Sequence, residues 1–289
     1  LGYCNVAIVS YGSNQRSAKS RKLGGVIEDH TPQKYFEYSQ GILSPLSLYA
    51  LVAQRAFHEW EINSEDLAEI AVLARKHALL NEKAFTFGKK ELSVDEVIDS
   101  GVISSPLHKL DCCLVTDGGG AVLITNDDIS KSLNLPQIKV KGFSQLDTHI
   151  SYSQMPNYLI TGAEHTSKQS LVDAKMKLDD IDMLQVYDSF TITVLSTLAS
   201  IGLDQPKNII EKIKSGYFSL DGELPLNTSG GGLSYCHPGM LGLLLTIEAV
   251  NQLSNNFDNR QIDNPSTALI HATGGVFSTH ATMVLEKVM

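Results

Sequence analysis

The sequence predicts a layered α/β protein with a mostly buried sheet. Two observations carry that expectation: from about residue 137 onward apolar, β-branched runs alternate with stretches of helical periodicity, and two further strands close the chain. The 289 residues are 43% hydrophobic and 19% charged, enough apolar material for one large core or two moderate ones.

Taken in order, Asn5 to Tyr11 (NVAIVSY) reads as a buried strand with almost no lead-in, so a preceding segment is expected. A polar stretch with a basic cluster, Arg16 to Gly25, and the irregular region to about Ser44 read as solvated loop. Pro45 opens a helix through about Trp60, with Leu48, Leu51, Val52 and Ala56 at helical spacing. Ser64 opens a second, with Glu65 and Asp66 suiting the dipole of its first turn and Leu67, Ile70, Ala71 and Ala74 on one face. Cys112 to Thr125 (CCLVTDGGGAVLIT) reads as a strand whose three glycines mark a bulge or a close backbone approach.

Asn126 to Pro136 is polar and helix-poor, a natural linker. A strand follows at Gln137 to Phe143, then a helix at about Ala163 to Met176, a strand at Met183 to Tyr187 and a helix from Phe190 to about Ile201. An irregular excursion to Leu224 leads into a short strand ending at Asn227 and a glycine-rich turn. A helix from Pro238 to Leu253 and strands at Thr267 to His271 and His280 to Glu286 complete the pattern.

Composition excludes several classes of function. With 23 basic against 32 acidic residues, and no long Lys/Arg run, nucleic acid is not an expected partner. Cys4, Cys112, Cys113 and Cys236 match neither a disulfide framework nor zinc-ligand spacing, which points to a reducing, cytoplasmic compartment and no metal. No apolar run reaches the roughly 20 residues of a membrane span. Neither nucleotide fingerprint, GxGxxG nor GxxxxGK[ST], occurs in the glycine-rich turn.

Two segments stand out chemically. In Asn227 to Gly242 (NTSGGGLSYCHPGMLG), three glycines open unusual backbone conformations, and Pro238 places His237 at the N-terminus of the expected helix, suited to a general base or oxyanion donor. Set against that, a histidine there can simply cap its helix. In Val186 to Thr191 (VYDSFT), a strand ends at Tyr187 and a helix begins just after Asp188, where ligands of α/β sheets collect. Asp188 or Ser189 as helix N-cap is the plainer reading, and Tyr187 can equally be a core aromatic. His77 and Asn81, one helical turn apart, can share a cleft, although a solvated helix end explains them more cheaply. Gly274 and Gly275 lie between the closing strands, where His271 or His280 can point inward, and a structural role is the simpler reading of each.

In sequence and spacing, DCCLVTDGGGAVLI, VYDSFT, NTSGGGLSYCHPGMLGLLLTIEAVNQL and ALIHATGGVFSTHATMVL resemble the thiolase superfamily, in its sterol-carrier and lipid-transfer branch, over nearly all of the chain. The resemblance implies a five-layered αβαβα thiolase fold whose first half is incomplete at the N-terminus. Residues 1–126 would hold the end of that half, with an inserted loop region at about 16–110, and residues 127–289 the second half. A homodimer is the usual assembly. The helix carrying the nucleophilic cysteine of true thiolases would precede this chain, and none of the four cysteines falls at its position.

The family's glycine-His-Pro motif corresponds to Cys236-His237-Pro238, which carries the catalytic histidine over to His237. Its His-Asp-Cys-Phe motif corresponds to Tyr187-Asp188-Ser189-Phe190, where both histidine and cysteine are replaced, and serine is a poor substitute for a thiol. Tyr187 and Tyr235 instead resemble the tyrosines of thiolase-like aldolases of steroid side-chain degradation. The implied reaction is retro-aldol cleavage of a 3-hydroxyacyl-CoA, with Tyr187, Tyr235 and His237 catalytic. Ser189, Gly231, His77, Asn81, Gly274 and Gly275 would help bind substrate. Coenzyme A enters only as part of the thioester, and a small OB-fold/zinc-ribbon subunit is the implied partner. The alternatives are a thiolase-type acyltransferase, which needs the cysteine, and a non-catalytic scaffold that binds lipid or a partner.

Overall fold

The computed structural model describes residues 4–20, 33–42, 44–133 and 135–288, the side chains of Gln33 and Lys34 excepted; part of the basic cluster at 16–25 lies outside them. The elements in chain order are β1 (Val6–Ser13), α1 (Pro45–Trp60), α2 (Ser64–Ala78), α3 (Val94–Ile98), β2 (Val102–Ser104), β3 (Leu107–His108), β4 (Gly118–Thr125), α4 (Asp127–Ser132) and β5 (Gln137–Asp147). They continue with α5 (Ala163–Ala174), β6 (Leu184–Val186), α6 (Thr191–Ser200), α7 (Pro206–Lys214), α8 (Leu241–Leu253), β7 (Thr267–Gly274) and β8 (Thr279–Val288).

A four-stranded sheet of order β5-β8-β7-β6 draws every strand from residue 137 onward; β5, β8 and β7 pair antiparallel, and β6 lies parallel to β7. β1 and β4 form a separate antiparallel ribbon, Val6 opposite Thr125 through Ser13 opposite Gly118. α8 packs against both the ribbon and the sheet, and α5 covers β5 and β8. Ribbon, helix, sheet and helix therefore stack as layers, with α1, α2, α6 and α7 clustered beside them around Leu195, Leu198, Ile209 and Phe218. α5 lies so close to β5 that a Cβ on Gly142 would fall 1.9 Å from the Ser170 carbonyl, and the β5–β8 register shifts between Val140 and Gly142.

Several expectations need correcting. β1 is not buried: Val6, Ile8 and Val9 are exposed, as are Leu123 and Ile124 across the ribbon, because no layer among the described residues covers its outer side. The strand expected at 112–125 forms only from Gly118, since the backbone groups of 112–117 bond to other loops. Leu51 is exposed, and α1 buries Tyr49, Ala50 and Ala53 beside Leu48, Val52 and Ala56. α2 begins at Ser64 as expected, and the residue before it caps it: the Asn63 side chain accepts from Asp66 N and the Asp66 carboxylate accepts from Asn63 N, a reciprocal capping box. The polar linker contains α4, capped by Asn126, and the excursion before Leu224 contains α7, whose Ile209, Ile210 and Ile213 are buried.

Candidate active site

The carboxyl end of β6 and the turn before α8 meet at one place. Asn227 joins them. In a left-handed conformation (φ 48°), it donates from Nδ2 to Val186 O (2.9 Å) and accepts at Oδ1 from Val186 N (2.8 Å), while its own N–H donates to Leu184 O. One side chain thus reproduces a strand-like pairing at the sheet's edge, ordering the chain as it enters the glycines.

Gly231–Tyr235 then form a single π-helical turn. Asp188, fully buried, accepts from Gly232 N (2.6 Å) and Leu233 N (3.1 Å). A Cβ on Gly231 would sit 2.1 Å from the Asp188 carboxylate and one on Gly230 would sit 2.5 Å from Ala78, so both glycines are required by close approach as well as by positive φ. Burial without a cation pushes the Asp188 carboxyl up to about 7, against the two N–H groups that stabilise its anion. Neither Asp188 nor Ser189 caps α6 as expected: its N-cap is Phe190, and the Ser189 hydroxyl bonds that of Thr193 (3.0 Å).

Three groups from the α2 end grip the same turn from outside. The Asn81 amide donates to Ser229 O (3.0 Å), the Thr86 hydroxyl to Ser234 O (2.9 Å), and His77 Nδ1 lies 3.4 Å from Asn227 O. His77 and Asn81 are therefore neither solvated nor in a cleft. Burial holds the His77 imidazole down at about 4, hence neutral. Beyond the turn, the Thr228 hydroxyl donates to Glu248 (2.6 Å), which is buried and ion-paired with Arg260.

The segment 112–117 crosses all of this. Cys112 bridges Phe190 antiparallel, Cys113 N donates to Ser189 O (2.9 Å) and Leu114 N to Gly232 O (2.9 Å). The Thr116 hydroxyl accepts from His237 N (3.0 Å). β1 and the turn after it add two bonds: Tyr11 donates to Pro238 O (2.8 Å) and the Gln15 amide to His237 O (3.1 Å). His237 is thus fixed by the ribbon and the segments flanking it and not by a helix N-terminus. α8 begins only at Leu241, so the expected helix-dipole effect on the imidazole has no geometric basis.

The Tyr187 hydroxyl lies 2.9 Å from His237 Nε2 and 2.7 Å from the Gly239 carbonyl, and the two rings meet edge to face. With its proton on Gly239 O the phenol accepts from Nε2–H; turned the other way it donates to a bare Nε2. The pair is one proton transfer wide and can relay a proton either way. Burial raises the Tyr187 phenol far above its usual range, with Cys113, Tyr49 and Asp188 adding to the effect, so the hydroxyl stays neutral and acts through hydrogen bonding.

Tyr235 ends the π-helical turn, is partly exposed and packs against the same core cluster as Tyr187; burial raises its phenol above the ordinary range. Gly275 reaches the site indirectly: its carbonyl accepts from the Tyr49 hydroxyl (3.3 Å), Tyr49 packs on Phe190 with ring centroids 4.6 Å apart, and Tyr49 also bonds Ser189. Gly274 ends β7, pairing with Thr279 of β8. His271 and His280 point into the core, bonded to one another (3.3 Å), to Thr282 and to Phe277 O. Sequence reasoning missed Tyr49, Cys113, Asn227 and Thr116; only the Cys-Cys pair and the Asn before the glycines carried any local signal.

Two open clefts, of about 790 and 1040 Å³, lie along residues 146–171 and against the end of α1, and neither is lined by Tyr187 or His237. Tyr187 is itself partly exposed, as are Ser189 and Gly239 beside it. Among the described residues no group of three His, Cys, Asp or Glu side chains is placed to hold a metal ion, and no helix is long and apolar enough to cross a membrane.

Comparison with known proteins agrees with this architecture. Residues 144–287 match the family described as thiolase C-terminal domain-like. The acetyl-CoA acetyltransferase of Methanothermobacter thermautotrophicus is 28% identical over 254 residues, covering 87% of this chain and 66% of its own. The steroid side-chain-cleaving aldolase of Thermomonospora curvata is 32% identical over 244 residues, covering 82% and 61%. The solved structure of an Ltp2-ChsH2(DUF35) aldolase superposes with a TM-score of 0.86 at 25% identity, covering 99% of this chain and 73% of that one. The layered architecture and its superposition on that solved structure define a thiolase fold. Residues 144–287 belong to the thiolase C-terminal domain-like family, and the chain as a whole is similar to the thiolase superfamily in its thiolase-like, sterol-carrier-related branch. It spans between 59% and 66% of the length of the first three curated relatives it matches.

Proposed function

We propose that the protein of which this chain is part cleaves the carbon-carbon bond of a 3-hydroxyacyl-CoA by a retro-aldol reaction. The observation that carries this reading is the 2.9 Å contact between the Tyr187 hydroxyl and His237 Nε2, a proton relay standing where thiolases proper need a second histidine and a thiol. The relay takes the proton of the substrate's β-hydroxyl, the bond between the α- and β-carbons breaks to leave a ketone or aldehyde, and its electron pair passes into the thioester enolate. His237, Tyr187 and Tyr235 are the catalytic residues of this reading, Tyr235 helping to protonate the enolate carbon, and Asp188 holds the turn that leads to His237. The aldolase character of two similar proteins, the Thermomonospora curvata enzyme and the Ltp2-ChsH2(DUF35) complex, supports it. The second of these also supports a DUF35 subunit of the OB-fold/zinc-ribbon kind as partner. A homodimer, a cytoplasmic location and a boundary near residue 126 belong to the same proposal; the exposed apolar ribbon of β1 and β4 is what a second subunit would cover.

The test is cleavage of 3-hydroxyacyl-CoA thioesters by the full-length protein with its co-purifying subunit, followed as release of the shortened acyl-CoA. Tyr187→Phe and His237→Gln should each lower kcat by about 10²- to 10⁴-fold, the range of a lost proton-transfer group. Wild-type activity on 3-oxoacyl-CoA plus free CoA, with none on the hydroxy compound, would make the protein a thiolase and overturn the reading.

A further inference from the structure

A coenzyme A thioester brings several phosphate charges to a chain whose net charge is -9, so its binding needs a local excess of cations near the site. One lies where the turn after β1 meets the segment after α2. The Arg16 guanidinium stacks on the Phe85 ring, its Cζ 4.5 Å from the centroid, and Lys89 Nζ lies 4.9 Å from the same centroid. All three side chains are exposed, and neither cation is ion-paired among the described residues. Single bonds tie this cluster to two site residues: Phe85 N donates to Tyr235 O (2.9 Å), and the amide of Gln15, one residue before Arg16, donates to His237 O (3.1 Å). Arg16 is held in place by its Nη1 bond to Val115 O (3.0 Å). The Asp117 carboxylate beside it is engaged by the N–H groups of Arg16 and Ser17. On the far side of Lys89, a cleft of about 580 Å³ adds Arg75 and Lys90 but also Glu91, Glu96 and Asp99, which cancel its cations. The positive excess therefore stands on the Phe85 side, towards Tyr235.

We propose that Arg16 and Lys89, set on the Phe85 ring, bind the phosphate groups of the coenzyme A moiety, so that its pantetheine arm runs inward past Tyr235 towards the Tyr187–His237 pair. This rests on the reading of the substrate as an acyl-CoA. A guanidinium stacked on a ring keeps its in-plane N–H groups for an anion, and their fork suits the oxygens of a phosphate; the ammonium adds a point charge on a flexible stem. Holding the guanidinium on the ring beforehand lowers the cost of ordering it when the anion arrives. The segment that carries Phe85 also bonds the carbonyls of Ser229 and Ser234, through Asn81 and Thr86. Phosphates anchored there are thus held in fixed register with the turn that bears Tyr235. The basic cluster that reads as a solvated loop in the sequence begins, at Arg16, with a substrate anchor.

Calorimetric titration of the full-length protein, with its co-purifying subunit, by coenzyme A and by pantetheine separates the phosphates from the arm and needs no turnover. Arg16→Ala and Lys89→Ala should each raise Kd for coenzyme A by about 10-fold, the loss of one charge-assisted bond, with melting temperature unchanged. Pantetheine, which has no phosphate, should bind both variants as it binds the wild type. The rise of Kd for coenzyme A with salt should be shallower in both variants. Lys168→Ala, in the cleft along residues 146–171, should keep the wild-type Kd. A Kd for coenzyme A within about twofold of wild type in either Arg16→Ala or Lys89→Ala would overturn the proposal, as would an equal loss of pantetheine binding or a weakening in Lys168→Ala instead. Wild-type affinity for ATP equal to that for coenzyme A would overturn it too, since a nucleotide has no arm to reach Tyr235. Coenzyme A binding that depends on Arg16 and Lys89, in a protein that cleaves no 3-hydroxyacyl-CoA, would instead sink the retro-aldol reading and leave the phosphate site standing.

Discussion

Asp188 shows how one buried side chain couples two site-bearing segments. Its carboxylate follows Tyr187 in sequence and holds the turn that presents His237, so protonation removes acceptor strength from both N–H bonds at once. Hydrogen bonds to a charged group are worth about 1.5–3 kcal/mol each. Asp188→Asn keeps the shape but sets its NH2 against one of those donors, and kcat should fall about 10- to 100-fold with KM little changed. With the carboxyl raised to about 7, wild-type kcat should fall as pH drops below neutrality, and that limb should vanish in the Asn variant. A pH–rate profile of the two proteins decides it; an identical acidic limb in both removes Asp188 from the account. None of this was visible in VYDSF, where an aspartate before a helix reads as a cap. The carboxylate's real partners lie 44 and 45 residues further along.

Among the elements, the turn before α8 depends on a polar network that local sequence does not reveal. Gln185 donates to the Thr228 hydroxyl, Thr228 to Glu248, and Arg260 pairs with Glu248 beneath the turn's entrance. Both charges are buried, so removing one partner leaves the other uncompensated, at a cost of about 3–5 kcal/mol. Arg260→Met should lower the denaturation midpoint accordingly, and Glu248→Gln with Arg260→Met together should cost less than the sum of the two. A double-mutant cycle in urea measures that coupling; strict additivity would mean that the pair does not hold the turn. The elements themselves were largely legible: α1, α5, α6 and the closing strands fall within a few residues of expectation. What failed were the ends, because a helix start can be inferred from proline but not from where backbone bonds go. Pro238 proposed a helix at 238, yet the carbonyls of residues 237–239 are taken by Gln15, Tyr11 and Tyr187, and α8 waits until Leu241.

At the scale of the whole molecule, three buried histidines set the acid limit of stability. Burial lowers His77 to about 4, His271 to about 3 and His280 to about 4. Between those values and the unfolded value of about 6.5, the unfolded chain binds more protons than the folded one, so stability is lost as pH falls through that window. Asp188, raised on folding from 3.8 to about 7, works in the opposite direction across the whole of the pH 4–6.5 window but is one group against three. The melting temperature should therefore drop steadily from pH 6.5 to 4.5, and a flat profile in calorimetry would show that these imidazoles are not held neutral by the fold.

Hydrophobic period, proline and glycine positions determined the α/β class and the order of its elements, because those are properties of neighbours in the chain. The same local reading marked VYDSF and GGGLSYCHPG as chemically loaded segments. Only the tertiary structure decided which tyrosine meets His237, that Asp188 clamps the glycines, that His77 and Asn81 are braces, and that the backbone at Cys113 pairs with Ser189. Those facts depend on contacts between residues 44 to 150 positions apart, which close packing fixes and chain adjacency does not encode.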